Sequence, residues 1–219
     1  MRETTGLATQ GVTAGVVVAV CAAAGFLFGD LLTPLAHSRM LPWIVARATG
    51  LGAFVALSLL TLLGLLFRRP GRGAPRLHPE SLLRLHVALG PAVVALVVAH
   101  VASLLADRYA GVGWASLFVP FSARYRPGPV TYGMVAAWLV LVVVVTAGLA
   151  GRGPVGSRWA LLHRLAYPAF ALTWLHGVLA GSDTPALRAL YVVSGIAVGA
   201  AAVPMVTRRS PLQRSGEGR

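Results

Sequence analysis

The sequence predicts an all-α polytopic membrane protein, a bundle of six transmembrane helices. Hydrophobic residues make up 57% of the 219 positions and charged residues 11%, whereas soluble domains average about 45–50% and about 25%. The mean hydropathy is +0.75. This composition leaves too little polar surface for a soluble fold and too few charges for a disordered chain. The predicted domain covers residues 11–207, between a cytoplasmic segment at 1–10 and a disordered cytoplasmic tail at 208–219.

Six apolar segments support this fold class. They occupy residues 11–32, 44–67, 81–106, 130–150, 160–180 and 186–206. As a helix, each is long enough to cross a hydrocarbon core of about 30 Å. The run LVLVVVVTAGLAG in the fourth segment lacks the alternating polarity of barrel strands, and a helix satisfies its backbone hydrogen bonds within one segment. We therefore expect helices throughout, numbered here as segments one to six.

The distribution of arginines predicts that both termini lie in the cytoplasm. All 19 basic residues are arginine, and 6 acidic residues leave a net charge of +13. With the N-terminus inside, 13 arginines fall on the inner side and 6 on the outer side, as the positive-inside rule requires. The positive charge therefore indicates a topology in the lipid bilayer and excludes nucleic-acid binding as its explanation. The longer outer loop, residues 107–129, is apolar and aromatic, and we expect it to lie in the membrane interface or to cap the bundle.

Four of the six histidines lie inside apolar segments, where ionisable groups are costly and usually functional. His86 and His100 in segment three are about 21 Å apart along a helix axis, and His163 and His176 in segment five about 20 Å. Segments three and five run in the same direction because one crossing separates them. His86 and His163 therefore share an inner level, and His100 and His176 an outer level. The sequence predicts two histidine pairs stacked across the membrane.

Helical rotation tests this pairing. The 14-residue spacing of His86 and His100 leaves them about 40° apart, on one face, at about 100° per residue. The 13-residue spacing of His163 and His176 leaves them about 140° apart on an ideal helix. Pro168 lies between them, and a proline inside a helix kinks its axis. A kink there is the expected way to re-aim one of the two rings.

Facing imidazoles in an apolar bundle are typical of a haem held by two axial ligands, and two such haems would form an electron path. Zinc fits less well because neither pair has a third or fourth ligand beside it, and Cys21 is the single cysteine. Four unrelated histidines, each hydrogen-bonded to a neighbouring helix, are one alternative.

Two other functions remain alternatives. The first is a haem-free transporter or permease whose histidines relay protons or bind metal. It is disfavoured because the carboxylates that it would need are at helix ends, at Asp30, Asp107 and Asp183. The second is a quinol-linked b-type cytochrome with fewer helices, which six crossings and the 14 and 13 spacings disfavour.

Several stretches outside the histidine spacing carry a family resemblance. They are RLHVALG at the start of segment three, FVPFSARYRP in the outer loop and SRWALLHRLAYPAFALTWLHGVLAGSDT across segment five. With the spacing of 14 and then 13, they resemble bacterial stand-alone members of the ferric reductase-like transmembrane domain family. This superfamily includes NADPH oxidases, ferric-chelate reductases and the haem-bearing membrane subunit of methionine sulfoxide reductase. The resemblance covers about residues 40–207, and segment one matches nothing in it.

The resemblance implies an oxidoreductase component of the bacterial cytoplasmic membrane with two b-type haems. It implies ligation by His86 with His163 and by His100 with His176. Electrons would pass from a cytoplasmic donor to an outer-face acceptor such as ferric iron, oxygen or a partner protein. Many members continue into a flavin- and nicotinamide-binding domain. This sequence has no G-x-G-x-x-G after a strand, so it lacks a flavin or nicotinamide site, and a separate cytoplasmic flavin reductase or a quinol is the expected donor.

Three arginines are further candidates for binding haem propionates. Arg47 lies near the outer end of segment two, where the resemblance implies an arginine beside the outer haem; snorkelling to the interface is the alternative. Arg84 and Arg164 flank the inner histidines and are candidate partners of the inner propionates. Positive-inside anchoring explains these two nearly as well.

Overall fold

A computed structural model describes residues 38–67, 79–108, 110–150 and 153–206. Segment one, Cys21, Asp30, the basic inner loop after Phe67 and the C-terminal tail lie outside the described residues. The chain divides into two units, Met1–Ile44 and Val45–Arg219. The described part of the first unit, residues 38–44, contains the first residues of a long helix.

Helices make up the regular structure of the described residues, which contain no strand. The helices are α1 (Leu41–Phe67), α2 (Pro79–Ala106), α3 (Pro127–Gly148), α4 (Gly153–Leu162), α5 (Ala166–Ala180) and α6 (Arg188–Val206). Two short 3-10 turns accompany them, Trp114–Leu117 in the outer loop and His163–Leu165 between α4 and α5. Helices α1, α2, α3 and α6 correspond to segments two, three, four and six, whereas segment five is divided among α4, the 3-10 turn and α5.

Three described helices are long and apolar enough to cross a membrane. They are Leu41–Phe67, Glu80–Ala106 and Pro127–Gly148. The apolar helix Arg188–Val203 is shorter, and segment five is divided between α4 and α5. The prediction of an all-helical membrane protein is therefore confirmed for the described residues, while the number of six crossings stays a prediction.

Segment five is interrupted immediately before the proline at which the sequence predicts a kink. Pro168 is the third residue of α5, a position where a helical amide has no intrahelical acceptor, so its missing N–H costs nothing. The irregular turn is His163–Leu165 instead. A 3-10 turn advances by about 120° per residue, compared with about 100° in an α-helix. Three such residues add about 60° and bring His163 closer to the face that carries His176.

An aromatic cluster joins α1, α5 and α6. The ring of Phe54 stacks on Phe170 with 6.5 Å between centroids, and it lies 5.1 Å from the ring of Tyr191. The indole N–H of Trp174 donates to the backbone carbonyl of Tyr191 at 2.9 Å. Helix α3 packs along α5 on another side. These contacts fix the position of α5, the helix that carries His176.

Candidate functional site

The four histidines of the apolar segments meet in two pairs. His86 on α2 lies beside His163 in the 3-10 turn, with 6.1 Å between ring centroids and 56° between ring planes. His100 on α2 lies beside His176 on α5, at 6.3 Å and 78°. We call His86 and His163 the inner pair, and His100 and His176 the outer pair. The structure thus brings together the same two pairs that the sequence predicts, and their role as haem ligands stays a prediction.

The separation within each pair matches one metal atom bound between two imidazoles. Metal–imidazole bonds of about 2 Å hold the two nitrogens about 4 Å apart and the ring centroids about 6 Å apart. Among the described residues, the backbones of α2 and α5 do not pack closely against each other, so the side chains of His100 and His176 meet across a gap. Such a gap between helices is where a flat macrocycle binds in a bundle.

The outer pair is oriented by two backbone carbonyls. The Nδ1 of His100 donates to the carbonyl oxygen of Ala46 at 2.6 Å, and the Nδ1 of His176 donates to that of Pro129 at 2.8 Å. Because a carbonyl only accepts hydrogen bonds, Nδ1 carries the proton in both rings. The Nε2 of each neutral ring then keeps its lone pair for a metal.

The inner pair has more aromatic surroundings. The ring of His86 lies 5.7 Å from that of Phe67, and the ring of His163 lies 5.5 Å from that of Trp159, both edge to face. The backbone of Leu60 lies beside His86. Within the described part of the chain, the buried Nδ1 of His86 makes no hydrogen bond of normal geometry. Burying a polar atom without a hydrogen bond costs free energy.

Three glycines lie directly against these rings, and the sequence analysis did not identify them. A Cβ on Gly50 would lie 2.8 Å from the Nδ1 of His100, and one on Gly133 would lie 2.7 Å from the Nδ1 of His176. A Cβ on Gly64 would lie 3.3 Å from the Cε1 of His86. The sequence contains a signal that could have found two of them: Gly50 and Gly64 have the same 14-residue spacing as the two histidines on α2.

The three candidate arginines have different surroundings. Arg47 forms an ion pair with Asp183, in the connection between α5 and α6. Arg84 lies 3.8 Å from Glu80, and both side chains are largely exposed, so this pair contributes little to stability. Arg164 is exposed in the 3-10 turn beside His163. A propionate role for these three stays a prediction.

The outer loop holds the end of α5 beyond His176. The Tyr125 hydroxyl donates to the backbone carbonyl of Ala180 at 3.0 Å, and the Arg126 guanidinium donates to that of Leu179. The last carbonyls of a helix have no intrahelical partner, so these contacts cap α5.

Each histidine pair offers two protein ligands to a metal. In the described ranges, no group of three or more His, Cys, Asp or Glu side chains could hold a metal ion. Zinc sites in proteins use three or four protein ligands. Two-ligand sites suit a metal whose other positions are filled by a macrocycle.

The comparison with known families finds a match over much of the chain. Residues 49–174 match the family described as ferric reductase like transmembrane component, while no solved structure matches the chain. The match contains three of the paired histidines, His86, His100 and His163, and ends two residues before His176. Since it covers more than half of the sequence, the chain belongs to the ferric reductase-like transmembrane component family, and this membership points to an oxidoreductase role in electron transfer across a membrane.

Proposed function

We propose that this chain carries electrons across the membrane through two b-type haems, one held by each histidine pair. The inner haem is bound by His86 and His163, and the outer haem by His100 and His176. When bound, each haem supplies an iron that gains and loses one electron. The observation that supports this proposal is the separation of 6.1 and 6.3 Å between the paired rings, together with the family.

The position of the pairs along the bundle supports two centres instead of one. His86 and His100 are separated by about 21 Å along α2, most of a hydrocarbon core about 30 Å thick. A centre at each level divides the crossing into shorter electron steps. The helices hold the imidazoles at these levels.

The direction of transfer follows from the proposed topology. We place both termini in the cytoplasm of a bacterium, with six crossings, because 13 of the 19 arginines then fall on the inner side. A separate cytoplasmic flavin reductase or a membrane quinol would donate to the inner haem. If two histidines held each iron, no position on it would be open, and an outer-face acceptor such as ferric iron, oxygen or a partner protein would then be reduced at the edge of the outer haem.

The haem-free transporter finds less support in the described residues. Asp107 is buried at the end of α2, where a carboxylate oxygen accepts the Ala110 amide at 3.2 Å. Asp183 is paired with Arg47. Both carboxylates thus have structural partners near helix ends, and a proton relay needs ionisable groups along the path.

Haem content tests the proposal. The chain is produced with ample haem supply, purified in detergent and assayed as the pyridine haemochrome against protein concentration, with a reduced-minus-oxidised spectrum. We expect about two non-covalent low-spin b haems per chain, as two bis-histidine sites require. His78→Ala, outside the paired histidines, is the matched control and should retain both. A haem content near zero in the unmodified chain would contradict the proposal and favour the transporter.

A further inference from the structure

We propose that Gly50 and Gly133 are positioning residues for the outer pair. Each lets a backbone carbonyl of a neighbouring helix hold the Nδ1 of one histidine, which fixes the tautomer and the aim of the ring. Gly50 acts on His100 and Gly133 acts on His176. The hydrogen bonds are independent of any cofactor, whereas their purpose, presenting Nε2 to a haem iron, rests on the proposed function.

The same local arrangement occurs on two different helices. The accepting carbonyl belongs to Ala46 on α1 and to Pro129 on α3, and the glycine follows four residues later in both. In an α-helix, residues i and i+4 lie one above the other on the same face. The carbonyl of residue i accepts the helical bond from the amide of residue i+4 and can accept a further hydrogen bond. At Ala46 the Thr49 hydroxyl also lies 3.2 Å from this oxygen, and its shorter bond is to Val45. A ring that reaches the carbonyl of residue i must pass over residue i+4.

Only glycine leaves room for the ring at that position. A Cβ on Gly50 would lie 2.8 and 2.9 Å from the Nδ1 and Cε1 of His100. On Gly133 the corresponding distances to His176 are 2.7 and 2.8 Å. These separations are well below van der Waals contact, so any larger residue must displace the ring and break the hydrogen bond at Nδ1.

A third, less closely packed example of this glycine and carbonyl arrangement lies at the inner pair. Gly64 follows Leu60 by four residues, the Leu60 backbone lies beside His86, and a Cβ on Gly64 would lie 3.3 Å from the Cε1 of His86. At that distance the ring would need to shift by only a few tenths of an ångström. We therefore expect Gly64→Ala to act in the same direction but more weakly.

The hydrogen bonds at Nδ1 orient each histidine ring before a ligand binds. Metal-binding histidines commonly donate their second N–H to a carbonyl, which fixes the ring and raises the basicity of the ligating nitrogen. Loss of such a partner costs about 10–100-fold in metal affinity. Gly50→Ala and Gly133→Ala should therefore weaken haem binding at the outer pair and leave the inner pair intact.

The first measurement reports the hydrogen bonds directly. The full chain is labelled with ¹⁵N in histidine and observed by NMR, both reduced with haem and produced without added haem. We expect the Nδ1–H protons of His100 and His176 to exchange slowly with deuterium, and the haem-free rings to carry their proton on Nδ1. Gly50→Ala should remove the His100 signal alone, and Gly133→Ala the His176 signal alone. Rings protonated on Nε2 in the unmodified haem-free chain would overturn the inference.

The second measurement reports haem occupancy. Each of the two variants should fall from about two haems per chain to about one, following the affinity loss above. Gly52→Ala and Gly128→Ala are matched controls on the same two helices, since a Cβ on Gly52 would meet the Leu96 side chain at 3.7 Å and one on Gly128 would meet nothing within 4 Å. If the unmodified chain holds two haems and both variants keep them with unchanged Nδ1–H exchange, the inference is wrong. If the unmodified chain shows the slow Nδ1–H protons but binds no haem when haem is supplied in excess, the proposed function is wrong and the inference stands.

Discussion

The guanidinium of Arg47 and the carboxylate of Asp183 form an ion pair between α1 and the connection that follows α5. Arg47 directly follows Ala46, whose carbonyl accepts the hydrogen bond from His100. Asp183 lies shortly after α5, which carries His176. One ion pair therefore links the helix that orients one member of the outer pair to the helix that carries the other.

Removing either charge should lower stability slightly. The two side chains are 41% and 42% exposed, and ion pairs at such positions contribute at most about 1 kcal/mol. We expect Asp183→Asn and Arg47→Gln each to lower the thermal unfolding midpoint by about 1–4 °C, measured in detergent. The double variant should lower the unfolding midpoint by no more than the larger single change, because either single change already breaks the pair. Fully additive losses would show that the two residues do not interact.

The same two variants test the predicted effect of Arg47 on the outer haem. A nearby positive charge stabilises the reduced state, which carries one more electron. We therefore expect the midpoint potential of the outer haem to fall in Arg47→Gln and to rise in Asp183→Asn, where the guanidinium loses its counter-charge. A redox titration followed by optical spectra measures both shifts, and the inner haem is the internal control. Unchanged potentials in both variants would contradict a propionate role for Arg47.

The sequence predicts the levels of the four histidines because level depends only on spacing and on the number of crossings. It leaves the facing direction of His163 open, since rotation on an ideal helix puts it about 140° from His176. The 3-10 turn that reduces this angle depends on where a helix restarts before Pro168. Periodicity in the sequence does not reveal such a local change in backbone hydrogen bonding.

The contacts around the histidines are less visible in the sequence than the histidines themselves. Gly50 and Gly133 matter because two helices approach closely at those points, and the approach depends on how the helices pack. The pairing of Arg47 with Asp183 joins residues that are far apart along the chain and therefore carries no spacing signal. The 14-residue interval between Gly50 and Gly64 is the exception, because it repeats the interval on the facing helix.

The two pairs should behave as separate sites. His100→Ala or His176→Ala should leave one low-spin haem, the inner one, which is still reduced from the cytoplasmic side. His86→Ala or His163→Ala should remove the inner haem and stop electron entry. Haem content and redox titration of each variant measure this. Loss of both haems in all four variants, with the fold retained by circular dichroism, would contradict two independent sites.

Pro168→Ala tests the role of the 3-10 turn. Alanine restores a backbone N–H, which allows the α-helix to continue through the turn His163–Leu165 and removes the additional rotation of about 60°. We expect the variant to contain less inner haem and as much outer haem as the unmodified chain, measured by redox titration. Pro127→Ala is the control because Pro127 begins α3, where the amide of a first residue has no helical acceptor. Equal loss in both variants would point to general destabilisation.

The ring planes predict the electron paramagnetic resonance spectrum of the oxidised protein. Two parallel imidazoles split the iron d orbitals strongly, whereas crossed imidazoles leave two of them nearly equal in energy, which gives a highly anisotropic low-spin signal. The rings cross at 56° in the inner pair and 78° in the outer pair. We therefore expect two signals, with the larger maximum g value from the outer haem.

Frozen-solution spectra of the unmodified chain and of His100→Ala assign these signals, because the variant retains only the inner haem. The outer rings should keep one crossing angle, since the carbonyls of Ala46 and Pro129 fix both of them. In Gly50→Ala the outer signal should broaden or disappear while the inner signal is unchanged. Two rhombic low-spin signals with smaller maximum g values would instead require nearly parallel rings, and the imidazoles would then have to turn about their bonds to iron when the haems bind.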